Sequence, residues 1–184
     1  MRSMSSINTK LTKVRRVIRM AVLASGVLLP LNSMSSLDER KLSFYHTHTK
    51  KTLEITYAVG GVYVDSALEE VNNFLADFRT GDVKGMDPEL LDIMYEVRAS
   101  LGGKGTFEII SAFRSPETNQ MLRDAGKGVA KKSQHLLGKA IDIRLRNVAS
   151  SELRDAALRM KRGGVGYYAK SNFVHIDTGR VRRW

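Results

Sequence analysis

Two histidines and one aspartate in the C-terminal half of the chain have the types and the order of a metal-binding set. His135 and Asp142 lie in residues 133–142, and His175 lies in residues 172–177. Imidazole nitrogens and carboxylate oxygens both bind zinc, and three protein ligands leave the fourth position on the ion open. An open position separates a catalytic zinc site from a structural one. His135, Asp142 and His175 are therefore the candidate ligands of a catalytic Zn²⁺ ion.

The spacing of these residues requires the chain to reverse between His135 and Asp142. On one straight strand they would lie about 23 Å apart, at about 3.3 Å per residue, which is too far to share an ion. Gly138 offers a turn between them. Because side chains alternate along a strand, Asp142 can share one face of a sheet with His175 and Asp177. From spacing alone, the alternative of surface polar residues on half-buried strands stays open.

Composition narrows the kind of metal site and the kind of partner. The chain has no cysteine, which excludes cysteine-based zinc modules, iron–sulfur clusters and disulfides. Of the formal net charge of +11, six positive charges lie in residues 1–36, which carry no acidic residue, and +5 remains on residues 37–184. A mildly basic domain suits an anionic polymer at a membrane or cell wall, and we expect no nucleic-acid partner.

The N-terminal residues have the pattern of an export signal. Residues 1–19 are basic and largely polar, and residues 20–31 form an uncharged, mostly apolar run. This run is shorter than the roughly 20 residues that span a bilayer, and it matches the apolar part of a secretory signal. Arg15 and Arg16 before it suggest the twin-arginine route, with the general secretory route as the alternative. We expect residues 1–36 to be an export signal or, if uncleaved, a membrane anchor, with the domain in the periplasm.

Residues 37–184 have the pattern of a single α+β domain. Apolar residues at helical spacing predict helices at residues 66–78, 88–101, 116–125 and 150–160, with Asp65 and Ser115 as N-caps of the first and third. Alternating or continuous apolar runs predict strands at residues 42–45, 53–57, 107–111, 140–145, 165–168 and 173–177. We expect a mostly antiparallel sheet that carries the zinc site on one face and helices on the other.

The motifs around the candidate ligands resemble a known group of zinc peptidases, the LAS enzymes. This group includes D-alanyl-D-alanine carboxypeptidases, VanX-type dipeptidases and murein endopeptidases, and hedgehog domains share its fold. The signature that the chain resembles is Ser133-x-His135-x2-Gly138-x-Ala140-x-Asp142, followed by His175 in the last predicted strand. Within the group the chain is most similar to exported murein endopeptidases of the MepK type, and the similarity extends to residues 110–115, 128–133 and 163–179. The resemblance implies a hedgehog-like fold and zinc binding by the two histidines and the aspartate.

The proton carrier is the point at which the chain departs from many members of this group. Many carboxypeptidase relatives have Glu or Asp three residues before the last histidine, where this chain has Asn172, which cannot act as a base. Asp177 is the carboxylate nearest to His175 in sequence. It has two candidate roles, as the general base or as a hydrogen-bond acceptor that orients a liganding histidine.

Three further residues are candidates for contact with the substrate. In VanX-like relatives an arginine in the loop that contains Arg114 approaches the scissile carbonyl, so the resemblance makes Arg114 the candidate for stabilising the oxyanion or binding a substrate carboxylate. For Arg114 the alternative is a helix-cap or surface role. Ser133 adjoins the zinc motif, where it can hydrogen-bond near the site, and Tyr168 belongs to a possible cleft wall, with core packing as its alternative.

The function implied by this resemblance is zinc-dependent hydrolysis of the peptide cross-links of peptidoglycan, with links between two meso-diaminopimelate residues as the expected target. The expected partners are peptidoglycan stem peptides, which are short and acidic. One alternative is a D,D- or L,D-carboxypeptidase that trims stem ends. Another is a zinc-containing cell-wall-binding module without catalysis, which the departure at Asn172 keeps open.

Overall fold

Eight strands and four helices follow one another in residues 38–184, the part of the chain described by this computed structural model. The strands are β1 (Glu39–His46), β2 (Thr52–Val59), β3 (Val62–Tyr63), β4 (Phe107–Ser111), β5 (Ala140–Leu145), β6 (Gly164–Tyr168), β7 (Phe173–Asp177) and β8 (Arg182–Arg183). The helices are α1 (Asp65–Phe74), α2 (Pro88–Ser100), α3 (Pro116–Asp124) and α4 (Ser150–Met160). The predicted leader lies outside the described residues. No described helix is both long and apolar enough to span a bilayer.

All eight strands belong to one sheet, in the order β3-β2-β1-β4-β5-β7-β6-β8. The pairs β1–β4 and β6–β8 are parallel and the other neighbouring pairs are antiparallel. The prediction of an α+β domain with a mostly antiparallel sheet is therefore confirmed. The strand β5, which carries Asp142, and the strand β7, which carries His175 and Asp177, are neighbours near the middle of the sheet.

One face of the sheet is covered by α1, α2 and α4, which pack on alternate residues of the strands. In β5 the residues directed to this core are Ile141, Ile143 and Leu145, each at most 2% exposed. Burying each such side chain contributes roughly 1.5–3 kcal/mol to folding. The residues between them, including Asp142, are therefore directed to the opposite face.

The first helix is shorter than predicted. It ends at Phe74, not at residue 78, and its N-cap residue is Val64 and not Asp65, which is the first helical residue. The chain turns after the helix because the buried carboxylate of Asp77 accepts hydrogen bonds from the backbone N–H groups of Arg79 (3.0 Å) and Ser115 (2.8 Å). Tertiary hydrogen bonds thus outweigh the helical apolar pattern that continues to residue 78.

The second and third helices begin as predicted. Asp87 accepts a hydrogen bond from the N–H of Glu89, and Ser115 accepts one from the N–H of Thr118, with proline at the first helical position of both helices. The cap at Ser115 also fixes where β4 passes into α3. This passage carries the preceding residue, Arg114, to the edge of the candidate site.

The strands β3 and β8 were not predicted, because each has only two residues, too few to show an alternating pattern. The second of them has the greater consequence for the site. It pairs in parallel with β6, placing Arg182 beside Gly164, and the backbone of Trp184 then bonds to both Val165 and Tyr167. The end of the chain is thereby held against the strand next to β7.

Candidate metal centre

His135, Asp142 and His175 lie together deep in one cleft of about 550 Å³. Their ligand atoms all lie within 4.8 Å of one another. Asp142 Oδ1 is 3.4 Å from His135 Nε2 and 2.9 Å from His175 Nδ1. All three side chains are buried, so the alternative of exposed surface residues does not hold.

The sheet itself positions two of the three side chains. Asp142 in β5 lies directly opposite His175 in the antiparallel neighbour β7. Opposed residues of an antiparallel pair have Cβ atoms about 4.5–5.5 Å apart, so their side chains can meet on one ion. Their neighbours Ile141 and Val174 are fully buried in the core on the other face, which fixes the register.

His135 reaches the same point from a single 3-10 turn, Gln134–Leu137. Ser133 caps this turn by accepting a hydrogen bond from the N–H of His135 (3.3 Å). Gly138 then reverses the chain in the left-handed region at φ 69°, as the spacing predicted. A Cβ at this glycine would also collide with the carbonyl oxygen of Gly85, so two separate constraints require glycine here.

Hydrogen bonds leave one nitrogen of each ring available to a metal ion. His135 Nδ1–H donates to the carbonyl oxygen of Ala112 (2.6 Å), so its Nε2 is the nitrogen directed at Asp142. His175 Nε2–H donates to Asp177 Oδ2 (2.9 Å), so its Nδ1 is the nitrogen directed at Asp142. These tautomers are assigned from the hydrogen-bond partners.

Asp177 lies behind His175 and is not among the residues that line the cleft. It is fully buried, and Arg182 donates to both of its oxygens, at 2.9 and 2.6 Å. Its Oδ1 also accepts from the N–H groups of Gly164 (3.2 Å) and Gly179 (2.8 Å). A general base needs an oxygen that reaches the water it deprotonates. The geometry therefore favours the orienting role for Asp177 over the role of general base.

The charges at this centre stabilise one another against the cost of burial. Burial lowers the pKa of His175, but the carboxylates of Asp142 and Asp177 outweigh it, so this pKa is raised above its usual value. For Asp142, burial raises the pKa and the two histidines outweigh it, so the net pKa is lowered. Two imidazoles and an ionised carboxylate, with their free atoms converging on one point, fit Zn²⁺.

Arg114 borders the ligand set from the end of β4. It is 7% exposed, and its contacts are long: Asn119 Oδ1 and Ser111 Oγ each at 3.4 Å, and Asp142 Oδ2 at 3.9 Å. Its Nε is buried and has no hydrogen-bond partner among residues 38–184. Burial lowers the pKa of this guanidinium, with Asp142 opposing the shift, and an arginine remains protonated under such shifts. The side chain therefore keeps donors for a further oxygen.

The rest of the cleft is basic and partly aromatic. Tyr168 is 40% exposed, stacks on Phe173 with ring centroids 4.5 Å apart, and accepts a hydrogen bond from Trp184 Nε1 (3.0 Å). Ser133 also lines the cleft, besides capping the 3-10 turn. Within the described residues, the cationic side chains that line the cleft are those of Arg114, Lys127, Lys132, Arg180 and Arg182.

Sequence reasoning missed Arg182 and Trp184, although a signal for them is present in β6. A Cβ at Gly164 would collide with the side chains of Arg182 and Asp177, and a Cβ at Gly166 would collide with the indole of Trp184. Glycines two apart in one strand lie on the same face, where they mark a close approach of other groups.

Asn172, at the position of the usual base, does not contribute to the cleft. Its backbone is left-handed at φ 52°, and its side-chain oxygen accepts a hydrogen bond from Ser150 Oγ (2.5 Å). The only carboxylate lining the cleft within residues 38–184 is that of Asp142. The described part of the cleft thus offers no carboxylate base apart from a candidate metal ligand.

The mixed sheet and the 3-10 turn bring two histidine nitrogens and an aspartate oxygen together in a basic cleft, which are the ligand types and the number of ligands of a candidate catalytic metal site. Residues 34–184 match a family model described as "Peptidoglycan L,D-endopeptidase MepK". The chain therefore belongs to this peptidase family, and the resemblance noted in the sequence is confirmed.

Two bacterial relatives extend the match over most of the chain. The "Peptidoglycan L,D-endopeptidase MepK" of Escherichia coli K12 is 38% identical over 174 residues, which are 92% of this chain and 96% of that protein. A Haemophilus influenzae protein described as "Probable peptidoglycan L,D-endopeptidase MepK" is 35% identical over 175 residues, 92% of this chain and 94% of that protein. No solved structure matches the chain significantly.

Proposed function

We propose that the chain is a zinc-dependent murein endopeptidase that hydrolyses peptide cross-links of peptidoglycan in the periplasm. The observation that carries this proposal is the convergence of His135 Nε2, Asp142 and His175 Nδ1 in a basic cleft, in a chain of this peptidase family. The name of the relatives, L,D-endopeptidase, supports the links between two meso-diaminopimelate residues as the target.

The proposed mechanism gives each side chain of the centre a separate task. His135, Asp142 and His175 would hold the ion, which when bound supplies a Lewis acid for the scissile carbonyl and an acidified water. Asp177 keeps His175 in the tautomer with a free Nδ1. Arg114 lines the cleft, its Nη1 and Nη2 make only long hydrogen bonds of 3.4 Å, and it would stabilise the oxyanion or hold a substrate carboxylate.

The walls of the cleft suit an acidic, extended peptide. Lys127, Lys132 and Arg180 are exposed cations on its rim, and they would attract the carboxylates of stem peptides. Tyr168 and Trp184 form an aromatic wall beside His175, with the His175 and Trp184 rings 5.1 Å apart. Ser133 also lines the cleft, and its hydroxyl would donate to the bound peptide while its oxygen accepts from the N–H of His135.

One observation favours a second candidate, a zinc-containing module that binds the cell wall without cleaving it. The described cleft holds no carboxylate base beyond Asp142, and Asn172 hydrogen-bonds to Ser150 and not towards the ligands. Both functions need Arg114 and the rim cations to bind the carboxylates of the peptide. Only the fate of the substrate separates them.

Muropeptide analysis of peptidoglycan sacculi treated with the purified, zinc-loaded protein tests the proposal. Loss of cross-linked dimers and gain of monomers supports the endopeptidase. Unchanged dimers with shortened monomers would instead show a carboxypeptidase, and stable binding to sacculi with no released product would show a binding module. A His135→Ala variant should be inactive, whereas His48→Ala, which removes an exposed histidine outside the cleft, should act as the wild type does.

A further inference from the structure

Arg182 contacts none of the three candidate ligands directly, but it contacts Asp177, the residue that holds His175. Its Nη1 donates to Asp177 Oδ1 (2.9 Å) and its Nη2 to Asp177 Oδ2 (2.6 Å). Such paired contacts between a guanidinium and a carboxylate fix the orientation of the carboxylate plane as well as its position. The oxygen that contacts Nη2 is the same one that accepts the Nε2–H of His175 (2.9 Å).

The surrounding backbone is built to admit this guanidinium. Gly164 lies beside Arg182 in the β6–β8 pair, and any Cβ there would occupy the space of the Arg182 Nη1 and the Asp177 carboxylate. The carbonyl oxygen of Arg180 accepts a further hydrogen bond from Nη1 (3.1 Å). On its other side, the guanidinium carbon lies 4.8 Å from the ring centroid of Trp184.

A carboxylate without this arginine would not hold the histidine in the same way. Asp177 is fully buried, and without Arg182 its carboxylate would lose a hydrogen bond on each of its oxygens. Its remaining contacts would be the backbone N–H groups of Gly164 and Gly179 on Oδ1 and the Nε2–H of His175 on Oδ2. The two parallel guanidinium donors that fix the carboxylate plane would be gone. The acceptor of the His175 Nε2–H would then lose its fixed direction.

We infer that Arg182 is a positioning residue for the metal centre, acting through Asp177 to hold His175 with Nε2–H bound and Nδ1 directed at the ion. The inference rests on the proposed metal site, and it is independent of which bond the enzyme cleaves. Groups that orient metal-bound histidines typically change metal affinity or activity by about 10–100-fold when they are removed.

Zinc affinity, measured on the full chain by competition with a chromophoric chelator, tests this inference. We expect Arg182→Gln to weaken zinc binding by about 10–100-fold. Arg182→Lys should restore part of the affinity, because an ammonium supplies the charge without the two parallel donors. Arg183→Gln is the matched control: it removes the same charge from the next residue of β8, which does not line the cleft, and its affinity should equal that of the wild type.

A spectroscopic measurement separates positioning from simple structural support. In the zinc-loaded wild type the Nε2–H proton of His175 should exchange slowly with water, because Asp177 holds it, and in Arg182→Gln its exchange should accelerate. If Arg182→Gln and Arg182→Lys bind zinc as tightly as the wild type and keep the slow proton, the inference is wrong, even if they unfold at a lower temperature. If the variants show these effects and the zinc-loaded wild type cleaves no peptidoglycan, the proposed function is wrong and the inference about Arg182 still stands.

Discussion

Two buried carboxylates, one on each side of the sheet, are held by an arginine and yet do different work. Asp92 in α2 accepts hydrogen bonds from Arg40 Nη1 (2.8 Å), Tyr57 Oη (2.9 Å) and Tyr63 Oη (2.6 Å). It thereby ties three consecutive strands, β1, β2 and β3, to the helix that covers them. Asp177 in β7 accepts instead from Arg182 and from a histidine of the candidate metal centre.

The difference lies in the second partner of each carboxylate. The tyrosines around Asp92 are fixed donors: burial and the nearby carboxylate raise the pKa of Tyr63 to about 12, so its hydroxyl keeps its proton at any physiological pH. The histidine on Asp177 has a second nitrogen that faces the cleft. The same pairing of aspartate and arginine therefore connects strands to a helix at one site and orients a candidate metal ligand at the other.

Removal of a candidate metal ligand should give the largest effect on activity. It should have little effect on the hydrogen bonds of Asp92 with Arg40, Tyr57 and Tyr63, which we call the anchor. We expect Asp142→Asn to lose zinc binding and to reduce hydrolysis of cross-links to the level of metal-free protein, because an amide is a poor zinc ligand and lacks the negative charge. Zinc content after dialysis and muropeptide release check this. A variant that retained stoichiometric zinc would contradict the assigned ligand set.

Disruption of the anchor should give the largest effect on stability and leave the metal centre intact. Asp92→Asn removes the charge that pairs with Arg40, whose side chain is 29% exposed, and leaves one acceptor oxygen for three donors. A buried hydrogen-bonding group left without a partner typically costs about 1–3 kcal/mol. We expect Asp92→Asn to unfold at a clearly lower denaturant concentration with zinc affinity unchanged. Asp155→Asn, which alters an exposed carboxylate of α4, serves as the control and should unfold as the wild type does. A large loss of zinc affinity in Asp92→Asn would show that the two sites are coupled.

Substitution of Arg114 should reduce turnover while sparing both zinc and stability. Loss of one donor that stabilises an oxyanion typically costs about 10²–10³-fold in rate, and we expect Arg114→Met to show a loss of this size with zinc still bound. Steady-state kinetics on a cross-linked dimer measure it. If hydrolysis were unchanged, Arg114 would have no role beyond its contacts with Asn119 and Ser111.

The smallest expected effect is a change with pH in the contribution of His175 to the free energy of unfolding. The pKa of His175 is raised in the folded protein, so its contribution to stability is complete below its unfolded pKa of about 6.5 and is lost as the pH rises through the folded pKa. In metal-free protein, the wild type should therefore lose its advantage over His175→Gln between neutral and alkaline pH. Chemical unfolding of both proteins across this range measures the difference, and a constant difference would refute the shift.

The main strands, and the shared sheet face that brings Asp142 and His175 together, could be predicted from the sequence because they depend on short-range patterns. The role of these residues as metal ligands came from the family resemblance and stays a prediction. The alternation of Asp142 with Ile141 and Ile143, and the left-handed position at Gly138, follow from local rules. The end of α1 did not follow, because it depends on the hydrogen bond from the N–H of Ser115 to Asp77, which are far apart in sequence.

The role of Asp177 also lay beyond the sequence. Its spacing from His175 places the two side chains on one face of β7, but it does not say whether the carboxylate oxygens are free. They are engaged by Arg182 through β8, a strand of two residues with no pattern of its own. Contacts of this kind depend on the completed sheet.

The most direct test of the central claim is reversible metal control of cross-link cleavage. Purified protein incubated with a dimer joined through two meso-diaminopimelate residues should release monomers, stop when a chelator removes the metal, and resume when Zn²⁺ is added back, while His135→Ala stays inactive throughout. Cleavage that continues in chelator and persists in His135→Ala would contradict the assignment of this cleft as a zinc-dependent active site.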